Sequence, residues 1–545
     1  MKQGFRQSMA WLHTWVGLLT SWLLLMIFMA GTASYYRQEI SRWMRPELTT
    51  APVSQEVAAA NAVSYLQANA ADAEYWHIQL PDARNPAITM YWFNPAPKDG
   101  QGDGRASRRA RFGEATLDAA SGTPIQARQT RGGEFFYRLH FDLHYIPVLW
   151  ARYIVGFCAM FMLVAIISGV ITHKKIFKDF FTFRPRKGQR SWLDFHNVSA
   201  VMALPYHLMI TYTGIVTLML MYLPWGIKAA YPGEEDKFYV ESLGGLSEPR
   251  PASGTSAPMR DVAALMESAR REWNGAEVAT LRMDHPNDAA ASLALTQRDG
   301  KALSIATPTL RLDAVNGQLL ERGGQAGGAT ATRDVLMGLH LAHFADAGLR
   351  LLLFVSGLLG CLMVASGCVL WAIKERAKHA RSGRVGFGLR LVDALNIGAV
   401  AGLPIAFAAY FWANRLLPLD TLERPQAEIN LFFAGWGLAT LVGLLHPRRQ
   451  SWAWLLYLGA AMFVLLPVLN ALTTRAHLGV SLPAGDWVLA GVDLFALAFG
   501  LCLGYCGWRM QRWQPAVSAA DKRRRQAAAV DGAPPTQVAR DGGVA

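Results

Sequence analysis

Apolar residues gather in eight long runs, near 10–36, 146–172, 197–224, 347–373, 391–415, 430–446, 452–472 and 486–508. A helix needs roughly 20 apolar residues to cross the hydrocarbon core of a bilayer, and these runs supply about that many, the sixth being the shortest. The pattern predicts about eight transmembrane helices. The first run continues through "MAGTASYYRQEI" without a clear cleavage site, so it reads as a retained helix and not a signal peptide. Between the runs, two long connections change period. Residues 37–139 open with the amphipathic stretch "SQEVAAANAVSYLQAN", followed by the strand-like "YWHIQLP", "AITMYWF" and "GEATLDAASGTPI". Residues 226–339 repeat the order with "MRDVAALMESARREW", "VATLRMD", "ASLALTQ" and "PTLRLDAVNGQLL". Each predicts a small α+β domain, so the fold class is a mainly α polytopic membrane protein with two small α+β domains on one side.

The pattern divides the chain into a first span (1–36), a folded connection (37–139), a pair of spans with their loop (140–225), a second folded connection (226–339), a fourth span (340–375), a C-terminal four-helix region (376–510) and a disordered tail (511–545). Composition agrees, with 52% hydrophobic and 17% charged residues, an unusual balance for a soluble domain. The net charge of +13 is concentrated in short connections. "HKKIFKDFFTFRPRKGQR" holds seven basic residues and one acid, and "IKERAKHARSGRVGFGLR" holds six and one. These connections, the N-terminus and the tail fall on one side, which the positive-inside rule makes cytoplasmic. Both folded connections are then periplasmic. That distribution accounts for the charge without a nucleic-acid partner; the partner is the lipid bilayer. The five cysteines all lie in apolar runs, so a disulfide framework is not expected. The absence of CxxCH excludes covalent c-type haem, and GxxxxGK[ST] and GxGxxG are absent too.

The chain contains a parallel duplication. Leu117-Asp118 with Gly122 matches Leu312-Asp313 with Gly317, a turn signal at the end of each folded connection. His13 precedes Gly31 by 18 residues and His196 precedes Gly214 by 18. The second and fourth spans each follow a Leu-His…His element and end near Ser168-Gly169 and Ser366-Gly367. Parallel repeats of this kind pack about an axis along the membrane normal. Ionisable residues in membrane helices are costly and mark function by default. Here the histidines form two layers: His140, His144, His340 and His343 at the outer face, and His13, His173 and His196 at the inner face. His207 lies deeper, eleven residues or about 16 Å of helix rise beyond His196 and on the same side of the helix. Two layers suit two stacked, non-covalent b haems, each iron taking one imidazole from each of two helices. The outer site is expected from His144 with His343, with His140 and His340 as competitors. The inner site is expected to draw on His13, His173, His196 and His207. His173 and His207 break the repeat, since their counterparts are Trp371 and Leu24. Gly156, Gly169, Gly214, Gly357 and Gly367 either admit a flat macrocycle or serve helix packing.

These residues resemble the PepSY-associated transmembrane-helix family, also called iron-regulated membrane proteins. The resemblance covers roughly residues 1–380. It rests on "WLHTWVGLL", on "RLHFDLHYIP…SGVITHKKIFKDFFTFRPRKGQRSWLDFHNVSAVMALPYHLMITYTG", on "GLHLAHFADAGLR…ASGCVLW" and on the two "LDAxxG" domains. It implies PepSY-like periplasmic domains and an inner-membrane ferric-chelate oxidoreductase with two haems b. Such a protein reduces ferric-siderophore iron to Fe(II) and draws electrons from quinol or a separate cytoplasmic donor. That chemistry needs no acid, base or nucleophile from the chain. Two other readings stand beside it. One is a metal transporter or metal-binding protein using His140/His144 and His340/His343 with Asp142 and Asp346. The other is a non-catalytic PepSY regulator or assembly factor.

Overall fold

The computed structural model describes residues 4–512 apart from 50, 97–109, 174–179, 181, 186, 244, 299, 301, 325–326 and 380–385. The tail from 513 and much of the two basic connections lie outside the described residues. Among the described residues, seven helices are long and apolar enough to span a membrane: α1 (Phe5–Ser34), α5 (Val148–Thr172), α10 (Ala347–His379), α11 (Phe387–Leu416), α12 (Arg424–Leu445), α13 (Arg449–Thr473) and α14 (Trp487–Arg512). The third apolar run is not one straight helix. It divides into α6 (Gln189–Met202) and α7 (Leu204–Thr217), bent by 67°. Pro205 stands at the start of α7 and offers no N–H to the preceding turn, which ends α6. The eleven-residue rise expected between His196 and His207 therefore does not apply, because no continuous helix joins them.

The chain forms two compact units. The first comprises residues 1–20, 27–183 and 194–363; the second comprises 21–26, 184–193 and 364–545. In the first, the two α+β connections join into a single antiparallel sheet of order β3-β2-β1-β4-β5-β6-β7. The strands are β1 (Tyr75–Gln79), β2 (Ile88–Phe93), β3 (Phe112–Leu117), β4 (Val278–Asp284), β5 (Ser292–Gln297), β6 (Thr309–Asp313) and β7 (Leu319–Gly323). The two copies meet at β1 and β4, with Trp76 opposite Met283 and His77 opposite Arg282. Successive strand residues point to opposite faces. One face, carrying Trp76, Ile78, Met90, Leu281, Leu293 and Leu310, is sealed by α3 (Gln55–Asn69) and α8 (Val262–Glu272) through Leu66, Leu265 and Met266. The helices start alike: Ser54 caps the Val57 N–H and Asp261 caps the Ala264 N–H. The duplicated turns match in detail. Gly122 and Gly317 take φ of +69° and +80°, and Asp118 and Asp313 accept from the next backbone N–H groups. The Ser121 N–H bond is the main reason the Asp118 carboxyl titrates below its usual range.

A short helix follows the strands of each copy: α4 (Gly133–Asp142) after β3 and α9 (Gly328–Leu341) after β7. Helix α4 packs closely on α2 (Arg37–Trp43). Gly132 has φ +54°, and a side chain at Gly133 would strike the Arg37 carbonyl. Glu39 of α2 binds Arg84 at 2.6 Å and Arg350 of α10 at 2.8 Å, fixing the sheet over the spans.

In the second unit, α11 carries a π-helical turn at Ile397–Ala401 and packs on α12 through small residues, including Gly398 against Thr440.

Candidate histidine-paired cofactor sites

The first unit places four of the eight candidate histidines in two facing pairs, each with one ring from each copy of the repeat. His13 of α1 faces His196 of α6 with ring centres 6.3 Å apart. His140 of α4 faces His340 of α9 with centres 6.1 Å apart. An imidazole nitrogen lies ~1.1 Å from its ring centre and metal–imidazole bonds are about 2.0–2.1 Å, so two rings on opposite sides of one metal have centres ~6.3 Å apart. Both observed separations match.

The hydrogen bonds fix which nitrogen is offered. His13 Nδ1 bonds the Ala165 carbonyl at 2.8 Å, His196 Nδ1 the Met363 carbonyl at 2.9 Å, and His140 Nδ1 the Ile27 carbonyl at 2.7 Å. A carbonyl oxygen only accepts, so each Nδ1 carries the proton and the neutral ring keeps its lone pair on Nε2. His340 Nδ1 meets Thr213 Oγ1 at 3.1 Å, beside the Ile210 carbonyl. The Thr213 hydroxyl is itself committed to the Met209 carbonyl, so it accepts from His340. This is the orientation that metal-ligating histidines take from their outer partners.

A sequence rule underlies the arrangement. The carbonyls at Ile27, Ala165, Ile210 and Met363 each precede a glycine by four residues: Gly31, Gly169, Gly214 and Gly367. In a helix the side chain of residue i+4 leans back toward the carbonyl of residue i. A glycine there clears the approach. A Cβ on Gly31 would lie 2.6 Å from His140 Nδ1, and on Gly169 or Gly214 it would lie 3.0 Å from His13 or His340. These glycines seat histidine rings. Gly156 and Gly357 instead face Tyr222 and Thr32.

The other four histidines lie elsewhere. α4 ends at Asp142, and Leu143, His144 and Tyr145 take φ of +53°, +36° and +55°. His144 is therefore off the helix that carries His140, and its ring packs on Phe135 and Tyr145. α9 likewise ends at Leu341, with Ala342 at φ +55°, and His343 beyond it is exposed. The expected His144–His343 preference gives way on geometry to His140 with His340. His173 Nε2 accepts from the Asn197 amide at 3.2 Å, which ties the end of α5 to α6. His207 is wholly buried between Phe28 and Tyr206 and against Gly360. Neither of its ring nitrogens makes a well-formed hydrogen bond among the described residues. It stands one helical turn before the Ile210 carbonyl on α7, and Gly360 stands one turn before the Met363 carbonyl on α10. His207 thus lies between the two pairs. The carboxylates suggested for a bare metal are engaged: Asp142 by Arg138 and Arg152, and Asp346 by the Leu349 N–H.

The sequence reading missed a polar cluster in the second unit. Arg424 and Glu428 pair at 2.5 Å, both buried. Asn414 donates to Glu428 at 2.8 Å, Arg415 to Asn470 at 3.0 Å and Asn470 to Asp493 at 2.9 Å. Charged residues inside apolar runs were the available signal.

Comparison with known proteins places the chain in a family. The chain is 28% identical over 379 residues to Uncharacterized protein PA4219 of Pseudomonas aeruginosa, covering 66% of this chain and 91% of that protein. A family model described as the PepSY-associated TM region matches residues 10–374, which contain the eight candidate histidines. The chain therefore belongs to the PepSY-associated transmembrane family.

Proposed function

We propose that the chain is a multi-pass protein of the bacterial inner membrane, with both termini cytoplasmic, that binds two non-covalent b haems. In this reading it moves electrons outward to reduce ferric chelates such as ferric siderophores. The observation that carries the reading is the pair of facing histidines, formed twice, each ring held at Nδ1. Haem bound at each pair would supply a one-electron carrier. The chain's residues do the rest. The four held Nδ1–H groups aim the Nε2 atoms, the glycines let the rings in, and the surrounding apolar helices exclude water. Along α1, His13 and the His140 acceptor Ile27 are fourteen residues apart, about 21 Å of rise, so the two pairs serve opposite halves of the membrane.

The basic connections support a cytoplasmic assignment for the side carrying His13 and His196. Quinol or a separate cytoplasmic protein is the electron donor. At the other side, Fe(III) in an oxygen chelate gains one electron to become Fe(II), and the chelate leaves chemically unchanged. Its hard oxygen ligands hold the softer ion more weakly. The test mixes dithionite-reduced protein with ferric chelates, follows oxidation of the protein by absorbance and traps Fe(II) with a chromogenic chelator. The expected result is oxidation matched one for one by Fe(II). Protein that stays reduced with every ferric chelate overturns the reading.

A further inference from the structure

The sheet face opposite α3 and α8 carries a row of rings and a cavity. Alternation puts Tyr75 and His77 of β1, Tyr91 and Phe93 of β2, and Phe112 of β3 on that face. His77 stacks on Tyr91 with centres 4.6 Å apart, and Tyr91 on Phe112 at 5.5 Å. Tyr75 stacks on Phe93 at 5.8 Å. Beside this shelf, a cavity of about 500 Å³ runs from His77 and Tyr91 across Arg282, Ala294 and Thr296 to Arg333 and Asp334 of α9. Small-molecule sites typically span about 300–1,000 Å³. The α9 wall is firmly set. The Ile305 N–H donates to the Asp334 carbonyl at 3.1 Å, and the Leu303 carbonyl lies so close to Gly338 that no side chain would fit there.

The lining favours an anion. The lining holds two arginines, Arg282 and Arg333, and one carboxylate, Asp334. Arg282 binds Asp284 at 2.9 Å yet keeps 47% of its side chain exposed. Arg333 pairs with Asp334, whose carboxyl burial pushes up in pKa. His77 adds no charge near neutral pH, because burial and then Arg282 lower its pKa. Position matters as well. Arg333 and His340 lie on the same helix, seven residues apart, about 10 Å of rise. A ligand in the cavity touches the middle of α9, and His340 of the sheet-side histidine pair stands near its C-terminal end.

We propose that this cavity binds an anionic metal chelate of the catecholate or phenolate class, its aromatic ring on the His77–Tyr91 shelf and its charge on Arg282 and Arg333. The site rests on the reductase reading for its purpose. Gallium(III) is redox-inert under physiological conditions, so gallium tris(2,3-dihydroxybenzoate) measures binding alone. Full-length, haem-loaded protein in detergent should bind it about tenfold more tightly than gallium tris(acetohydroxamate), the worth of one aromatic stack. Ala294→Trp, which narrows the cavity, and Tyr91→Ala, which removes the shelf, should each weaken binding by about tenfold with haem content unchanged. Equal binding of the two complexes, or unchanged affinity in both variants, overturns the proposal. The ferric complex separates the two readings. Binding without oxidation of the reduced protein sinks the reductase and leaves the cavity. Oxidation at the parent rate in Ala294→Trp sinks the cavity and leaves the reductase.

Discussion

In the duplicated unit, His13, His140, His196 and His340 are each held at Nδ1, and His13 faces His196 as His140 faces His340. In the C-terminal unit, Asn414, Arg415, Arg424, Glu428, Asn470 and Asp493 are buried and bonded to one another. Both groups sit among apolar helices, where an unpartnered polar group costs several kcal/mol. The second closes on itself and locks α11, α12, α13 and α14 together. The first sets one held ring against another across the repeat. Polarity in a membrane helix is therefore not what separates a binding site from a structural lock; rings held to face one another are.

The largest effects should come from removing one ring of a facing pair. His13→Ala and His196→Ala should each abolish one haem and keep the other, and His140→Ala and His340→Ala should abolish the complementary one. Potentiometric titration of each variant would identify the component lost. If all four variants retain both components, the contrast between facing rings and a closed network collapses. The closed network should answer differently. Glu428→Ala leaves Arg424 buried without its partner and should cost about 3–5 kcal/mol of stability, seen as a lowered melting temperature with haem per folded chain unchanged. Replacing Arg424 and Glu428 together by leucine should recover most of that loss. A double variant as unstable as the single one would mean that the pair does more than satisfy itself.

A smaller effect tests the glycine rule. Gly31→Ala crowds His140 and should weaken haem retention at that pair by roughly 10–100-fold, the scale of a disturbed outer partner. Gly17→Ala, where a Cβ meets nothing within 4 Å, should be neutral. Similar losses in both would reduce the rule to helix packing. The smallest effects belong to His144→Ala and His343→Ala, which should keep full haem content by pyridine haemochrome assay.

The eight apolar runs and the order of helices and strands were legible because each depends on local period alone. Other features depended on partners distant in sequence. The β1–β4 joint, pairing Trp76 with Met283, cannot be found from alternation, which gives faces but not neighbours. His140 and His144 are four apart in sequence, yet Leu143 ends the helix between them, so one turns inward and the other does not. Pro205 was visible, and its position inside an apolar run was the signal for the bend that separates His196 from His207. The glycine positions were visible too, but their role needed the carbonyls four residues earlier. Arg415 and Asp493 stood out within apolar runs, whereas their meeting through Asn470 required three helices to pack.

Electron paramagnetic resonance of the oxidised, full-length protein, with haem counted per chain on the same sample, tests the paired-histidine account most directly. The account predicts two haems per chain, both low-spin with bis-imidazole signatures, and loss of one signal in His13→Ala and the other in His340→Ala. A single haem, a high-spin signal from a site with one axial histidine, or a colourless protein would contradict it.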